Sequence, residues 1–383
     1  MLAGVSLLIW VVLTFFRGGF WQVRALDGDA DGAGGLEKWP RTVAVVPARN
    51  EAETIARCVE SLVRQDYAGE LQIIVVDDHS DDGTAALASG AAQSGGAKDQ
   101  VTVVKDAPLE GGWTGKLWAL QQGVQSAAAF SPDYFWFTDA DIVHAPDTLR
   151  RLVTRSESQK LDLASLMALL RAKTMPERLL IPAFVYFFLM LYPPKWIAEA
   201  KSKTAGAAGG CILLRREALE RIGGIAAIRG EVIDDCALAR VVKRSGGKIW
   251  MGLTRKSVSL RSYVAFGEIR DLIARTAFTQ LQYSALILLA TLVGLLLTHL
   301  VPLVLTFHPQ PVVWRTSLAA WALMTLTYLP TVRFYRLSPL WALLLPLAAL
   351  FYLYATCLSA VRYWMGRGGQ WKGRAQAPGK TAE

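Results

Sequence analysis

The chain is short of charge, short of paired cysteine and free of several common nucleotide-binding signatures, and each absence narrows what it can do. Only 19% of its 383 residues are charged, against about 25% in an ordinary soluble domain, which argues against a purely cytosolic protein. The hydrophobic share of 52% excludes a disordered chain, which needs low hydrophobicity and high charge. The four cysteines, Cys58, Cys211, Cys236 and Cys357, are scattered with no CxxC pair. They offer neither a disulfide framework nor a zinc spacing and read as small apolar residues. No GxxxxGK[ST] run occurs and no GxGxxG follows a strand-like segment, so nucleotide hydrolysis and hydride transfer find little support. The basic residues set a net charge of +9 without forming an RNA-binding motif, so no nucleic-acid partner is expected; the excess suits an anionic membrane surface.

The missing charge is missing in blocks. Residues 1–16, 276–314, 316–332 and 337–361 contain no Asp, Glu, Lys or Arg. A bilayer core of about 30 Å needs roughly 20 helical residues, so 284–306, 312–332 and 338–361 are three expected spans. Pro309 and Pro311 mark the turn between the first two, and membrane helices tolerate Pro302, Pro330 and Pro346. The N-terminal run has no basic segment of the kind that opens a signal peptide and reads as an uncleaved anchor, with Arg17 and Arg24 placing its carboxyl end in the cytoplasm. The run LLIPAFVYFFLMLYPP, residues 179–194, is short for a span and holds three prolines. It lies between acidic motifs expected in one active site, so it is expected in the membrane interface or lining an acceptor groove. One anchor plus three spans would leave the tail outside, yet Arg362, Arg367, Lys372, Arg374 and Lys380 favour the cytoplasm; a re-entrant 337–361 would remove the conflict. The expected order is an anchor over 1–21, a linker over 22–39 containing DGDADGAGG, a catalytic domain over 40–260, an interfacial amphipathic helix over 261–283, a transmembrane unit over 284–362 and a basic tail over 363–383. Such a chain is expected to be a multi-pass membrane protein with its catalytic domain in the cytoplasm.

The soluble part alternates apolar runs with helical spacing. TVAVVP (42–47), LQIIVV (71–76), VTVVK (101–105) and YFWFT (134–138) read as strands. Helices are expected over 51–64, from Asp81 onward and over 115–127. Alternation of this kind predicts an α/β fold, Rossmann-like, with a mostly parallel sheet and helices on both faces. Ligands on such sheets bind at the carboxyl ends of the strands.

Three acidic clusters follow strand-like or loop segments: Asp77 and Asp78 in VVDDHSDDGT, Asp139 and Asp141 in FTDADIVHAPDTL, and Asp234 and Asp235 in VIDDCALARVV. In extended backbone, residues i and i+2 point the same way, so Asp139 and Asp141 can share one divalent ion. Mg²⁺ takes one or two carboxylates and fills its shell with water and phosphate oxygens. Asp78 can accept a hydrogen bond from a nucleobase N–H or cap a helix. Asp235 is the candidate general base, worth about 10²–10⁴-fold when well placed; helix-dipole compensation is the plainer role for the pair with Asp234. At Pro47, Arg49, Asn50 and Glu51 a strand turns into a helix, and backbone N–H groups there suit an anion or a base. Lys116, in the Gly-rich turn GGWTGKLWAL, can meet phosphate. His79 and His144 read as turn residues, and His299 and His308 lie in or beside the apolar unit.

As a set, VVPARNEAETIARCVESLVRQDY, VVDDHSDDGT, FTDADIVHAPDTL and VIDDCALARVVKRSGG resemble glycosyltransferase family 2, of the GT-A fold, over about residues 40 to 255. The resemblance implies that Asp78 contacts uracil and that Asp139 and Asp141 hold Mg²⁺ or Mn²⁺ with the nucleotide. It implies that Asp235 is the base of a direct, inverting displacement. The C-terminal spans with GGWTGKLWAL and RTAFTQLQYS resemble the hopene-associated glycosyltransferases of bacterial hopanoid biosynthesis, with a looser likeness to ceramide glucosyltransferase. That implies a membrane lipid acceptor, hopanoid or polyprenoid. A QxxRW-type motif has its nearest counterpart at 272–276, where Arg275 stands with neither Gln nor Trp; this argues against a processive synthase. A polyprenyl-phosphate glycosyltransferase is the rival enzyme, and an inactive membrane scaffold the rival outside catalysis.

Overall fold

A computed structural model describes residues 1–23 and 36–367 in full, with the backbone of 370–371 and 374–375. Most of the expected linker and the basic tail beyond 367 lie outside the described residues. The chain forms two compact units. One gathers residues 1–23, 171–196 and 262–367, and the other 36–170 and 197–261. Residues 171–196, within the 40–260 span expected for the catalytic domain, thus cluster with the helices of the first unit.

The second unit is built on one eight-stranded sheet: β1 (Thr42–Ala48), β2 (Leu71–Asp77), β3 (Val101–Lys105), β4 (Tyr134–Phe137), β5 (Ile142–His144), β6 (Leu163–Leu169), β7 (Ile212–Arg215) and β8 (Ile249–Ser259), in the order β3-β2-β1-β4-β7-β6-β8-β5. Every residue of β1 is buried, as its unbroken apolar run requires of a strand covered on both faces. Side chains alternate across it. Ala44, Val46 and Ala48 pack with Ile55, Val59 and Leu62 of the helix Ile55–Val63. Val45 points the other way, towards the helix Gly115–Ser126, where a Cβ on Gly123 would come within 2.3 Å of its side chain. Only glycine lets that helix lie so close to β1 and β2. Helices therefore cover both faces.

The expectation of a mostly parallel sheet holds in part. β3, β2, β1 and β4 are parallel, as are β6 and β8, but β7 runs antiparallel to both β4 and β6, and β5 antiparallel to β8. The sheet is mixed. This reversal matters for the site. The carboxyl end of β4 pairs with the amino end of β7, Phe137 opposite Ile212, and the carboxyl end of β8 with the amino end of β5, Ser259 opposite Ile142. Loops entering the antiparallel strands therefore reach the same edge as loops leaving the parallel ones.

The first unit is helical: Leu2–Phe16, Met175–Leu191, Phe266–Gln280, Ala285–Leu295 running through a π-helical turn (Leu296–Leu300) into Val301–Leu305, Pro311–Phe334 and Leu345–Trp364. Among the described residues, two helical stretches are long and apolar enough to cross a membrane, Ala285–Leu305 and Pro339–Trp364. The expected middle span is a 24-residue helix, Pro311–Phe334, that is not one of them and buries Ser317, Thr327 and Thr331. The expected anchor is a 15-residue helix, about 22 Å long at 1.5 Å per residue, less than a bilayer core. The 179–194 run belongs to the helix Met175–Leu191, started by a capping box between Thr174 and Glu177. It does not lie at an edge: Leu180, Ile181, Val185 and Tyr186 are buried, and the Tyr186 hydroxyl is 2.7 Å from Thr327 Oγ1.

Candidate active site

The register of the sheet brings the acidic motifs together. Ala48 lies beside Asp77, so Asp78 is the first residue past β2, next to the turn after β1. Asp78 is fully buried. Its carbonyl accepts from an Arg49 guanidinium nitrogen at 2.6 Å, and that nitrogen is 3.4 Å from its carboxylate. Arg49 thus sits directly on Asp78.

The amides of the turn itself are differently placed from what the sequence predicts. The Asn50 N–H donates to Ser80 Oγ, the Glu51 N–H to Thr84 Oγ1 and the Ala52 N–H to Asp82 Oδ2, all within 2.9–3.0 Å. Asn50 adopts a left-handed conformation, with φ of 50°, and its side chain accepts from the Asp81 N–H. These donors brace the 80–84 loop rather than forming a ready anion cradle. His79 is a turn residue with φ of 51°, 3.2 Å from Asp106. His144 is not: it ends β5 and is buried.

Lys116 lies in the first turn of the helix Gly115–Ser126. Its Nζ is 2.8 Å from Asp139 Oδ1 and 3.0 Å from Asp234 Oδ2. Burial works against its charge, but Asp139 and Asp234 outweigh that and hold its pKa above the ordinary lysine value. Asp234 and Asp235 open the helix Asp234–Arg244, where the dipole favours negative charge. Asp235 Oδ2 accepts from the Gly209 N–H at 2.9 Å and Oδ1 from the Cys236 N–H at 2.7 Å. Burial, then the adjacent Asp234, pushes the Asp235 carboxyl up to about 6, against the pull of Lys116 and the two N–H groups. Pro47, Leu117, Phe137, Ile212, Ile225 and Ile228 wall the cleft around these charges.

Asp141 faces the other flank. Its Oδ2 accepts from Ser259 Oγ at 2.7 Å and lies 3.5 Å from Arg261 Nε. Arg261 Nη2 also donates to Glu51 Oε1 at 2.7 Å. Burial, then repulsion by Asp139, raises the Asp141 pKa against the opposing pull of Arg261 and Ser259. Two hard oxygen donors of this kind suit Mg²⁺ or Mn²⁺, whose remaining positions water and phosphate can fill. Among the described residues, no group of three or more His, Cys, Asp or Glu side chains is arranged to hold a metal ion.

The sheet thus unites Pro47, Lys116, Asp139, Asp234 and Asp235 around one cleft, with Asp141 and Glu51 on its Arg261 flank. Sequence reasoning missed Gly209, Ser259 and Arg261. Arg261 is the second residue past β8, and a charged side chain at a strand end was the only available signal.

Comparison with known proteins agrees with this geometry. Residues 43–223 match the family model for glycosyl transferase family 2. An N-acetylglucosaminyltransferase from Mesorhizobium japonicum is 28% identical over 195 residues, 48% of this chain and 41% of the relative. One from Rhizobium leguminosarum bv. viciae is 34% identical over 114 residues, 30% of this chain and 24% of that protein. The chain thus spans less than half the length of these relatives. A mannosyltransferase from Pyrobaculum calidifontis, solved with GDP-Man and Mn²⁺, superposes with a TM-score of 0.54 at 20% identity, covering 94% of this chain and 99% of that one, which supports the shared fold. This family match lies across the sheet that carries Asp78, Asp139 and Asp141, so residues 43–223 are similar to glycosyl transferase family 2 and the fold is GT-A-like.

Proposed function

We propose that the enzyme moves one sugar from a UDP-sugar to a hydroxyl of a membrane lipid, with inversion at the anomeric carbon. The observation that carries this reading is Asp235, a half-buried carboxylate whose pKa is raised to about 6, held by the Gly209 and Cys236 N–H groups on the edge that also carries Asp139. A base poised near neutral pH is what a hydroxyl acceptor requires, whereas a phosphate acceptor arrives already ionised. As the acceptor oxygen bonds to the anomeric carbon, its proton passes to Asp235. The bond from that carbon to the donor's phosphate oxygen breaks, and the nucleoside diphosphate leaves with the electron pair.

Asp78 accepts from the nucleobase, and Arg49 keeps that carboxylate in place. Lys116 adds positive charge where the leaving diphosphate gathers negative charge. Asp139 and Asp141 would hold Mg²⁺ or Mn²⁺, which when bound supplies further charge neutralisation at the diphosphate. The names of the rhizobial relatives make UDP-N-acetylglucosamine the first donor to test. The helices Ala285–Leu305 and Pro339–Trp364 support a membrane location. The resemblance of GGWTGKLWAL and RTAFTQLQYS to the hopene-associated group makes a hopanoid the first acceptor to test and a polyprenoid the second.

The test uses detergent-purified protein with bacterial lipid extract and labelled UDP-N-acetylglucosamine, UDP-glucose or GDP-mannose, with Mg²⁺, Mn²⁺ or EDTA. Metal-dependent label in the organic phase, lost in Asp235→Asn, is the expected result. Label that persists in that variant removes Asp235 from the mechanism, and absence of label with every donor overturns the lipid-acceptor reading.

A further inference from the structure

His144 has no role assigned above, yet it ties together several segments of the sheet-bearing unit. It is 3% exposed, and its ring lies 4.7 Å from that of Trp136. Its Nε2 is 2.8 Å from Thr138 Oγ1 and its Nδ1 is 2.9 Å from Ser257 Oγ. Thr138 Oγ1 is also 3.0 Å from the carbonyl of Gly210. A carbonyl only accepts, so the single hydroxyl proton of Thr138 goes to Gly210. Thr138 must then accept from His144, which puts the ring proton on Nε2. Nδ1, left with a lone pair, accepts from Ser257. The chain runs one way, Ser257 to His144 to Thr138 to Gly210, and uses each proton once.

Its two ends matter for catalysis. Thr138 directly precedes Asp139, and Gly210 directly follows Gly209, whose N–H holds Asp235. β4 and β7, which bear these two loops, pair through Phe137 and Ile212, and beyond that pair the Thr138 hydroxyl is a direct side-chain tie between them. We propose that the Ser257–His144–Thr138 chain is a positioning device that fixes the spacing between the donor-holding Asp139–Asp141 turn and the loop that seats the base Asp235. The inference rests on the glycosyltransferase reading above. It requires a neutral imidazole, and burial pushes the His144 pKa down to about 3, so the chain stays intact at every pH at which the enzyme would be assayed.

Two measurements test it. Nitrogen-15 NMR of histidine-labelled protein in detergent, with His144→Gln to assign the signal, reads the tautomer without turnover. The Nε2–H form is expected, and the Nδ1–H form overturns the proton order. Thr138→Val keeps the shape and deletes the hydroxyl. Misplacement by a fraction of an ångström to 1 Å costs up to about 10²-fold in rate, so kcat for sugar transfer should fall towards that figure. Calorimetric affinity for UDP with Mn²⁺ should stay unchanged, because each half of the site survives, and Thr138→Ser should restore kcat. An unchanged kcat in Thr138→Val, or a loss shared equally by UDP affinity, overturns the positioning role. A wild-type protein with the expected tautomer but no transfer from any donor would instead overturn the enzymatic reading and leave the proton order standing.

Discussion

If Asp235 is the base proposed above, the charge on Lys116 sets where it titrates, and Lys116→Met measures by how much. A Cβ placed on Gly209 would lie 3.3 Å from Lys116 Nζ and 3.4 Å from Asp235 Oδ2, so the two atoms are within about 6.7 Å of each other. At an effective dielectric constant near 20, opposite charges at that distance attract by about 2.5 kcal/mol. One pH unit is about 1.4 kcal/mol, so removing the cation should raise the Asp235 pKa by nearly two units, from about 6. Asp234 loses its partner as well, and its repulsion acts in the same direction. A base must be ionised to work, so kcat/KM rises with pH through its pKa in the free enzyme. The wild-type acid limb should therefore lie near pH 6 and that of Lys116→Met near about pH 8, with Lys116→Arg close to wild type. The assay is kcat/KM for lipid labelling across that range. A limb that stays in place, or moves down, would refute the electrostatic account whatever happens to the plateau rate.

Other expectations are equally specific. Asp235→Asn should lower kcat by about 10²–10⁴-fold while UDP still binds in calorimetry. Asp141→Ala should weaken UDP binding in Mn²⁺ but leave it nearly unchanged in EDTA, a difference read in one titration series. Gly123→Ala should destabilise the catalytic unit by about 1–3 kcal/mol through overpacking, since its Cβ would fall 2.3 Å from Val45 and 3.1 Å from Val76; thermal melting checks this. Acid should weaken the fold through His144. Its native pKa of about 3 lies below the unfolded value of about 6.5, so the unfolded chain binds the extra proton and stability falls as pH drops between those values. The loss reaches about 3 kcal/mol by about pH 4, and it should be smaller in His144→Gln.

Most of the parallel half of the sheet was legible because β1, β2 and β4 are buried along nearly all their length and read as apolar runs, whereas β3 is a partly exposed edge strand. The other half was not legible. β6 (LASLMAL) consists of Leu, Ala and Met with one Ser, residues that favour helices on propensity alone, and only its pairing with β7 and β8 makes it a strand. β5 and β7 are three and four residues long, too short for any period to show. β8 contains a glycine and two adjacent cations, which break the alternation. The helical unit was misjudged for a related reason. Hydropathy reports how much apolar surface a segment carries, not what covers it, and the 179–194 run spends much of its surface on Tyr328, Tyr352 and Phe20.

The site divides along the same line. Asp78, Asp139, Asp141 and Asp235 stand out as candidates because each stands beside an apolar strand or opens a helix, where a carboxylate is costly without a partner. Their partners were hidden by distance along the chain. Ser259 reaches Asp141 across 118 residues and Arg261 reaches Glu51 across 210, and no local pattern announces either pair. Arg261 illustrates what this conceals. It bridges Glu51 from the β1 turn and Asp141. A cation bound by Asp139 and Asp141 must share that carboxylate with Arg261. Arg261→Ala should then tighten Mn²⁺ binding in the nucleotide-free protein, measured by calorimetry, and weaker binding in that variant would mean that Arg261 holds Asp141 ready for the ion instead of competing with it.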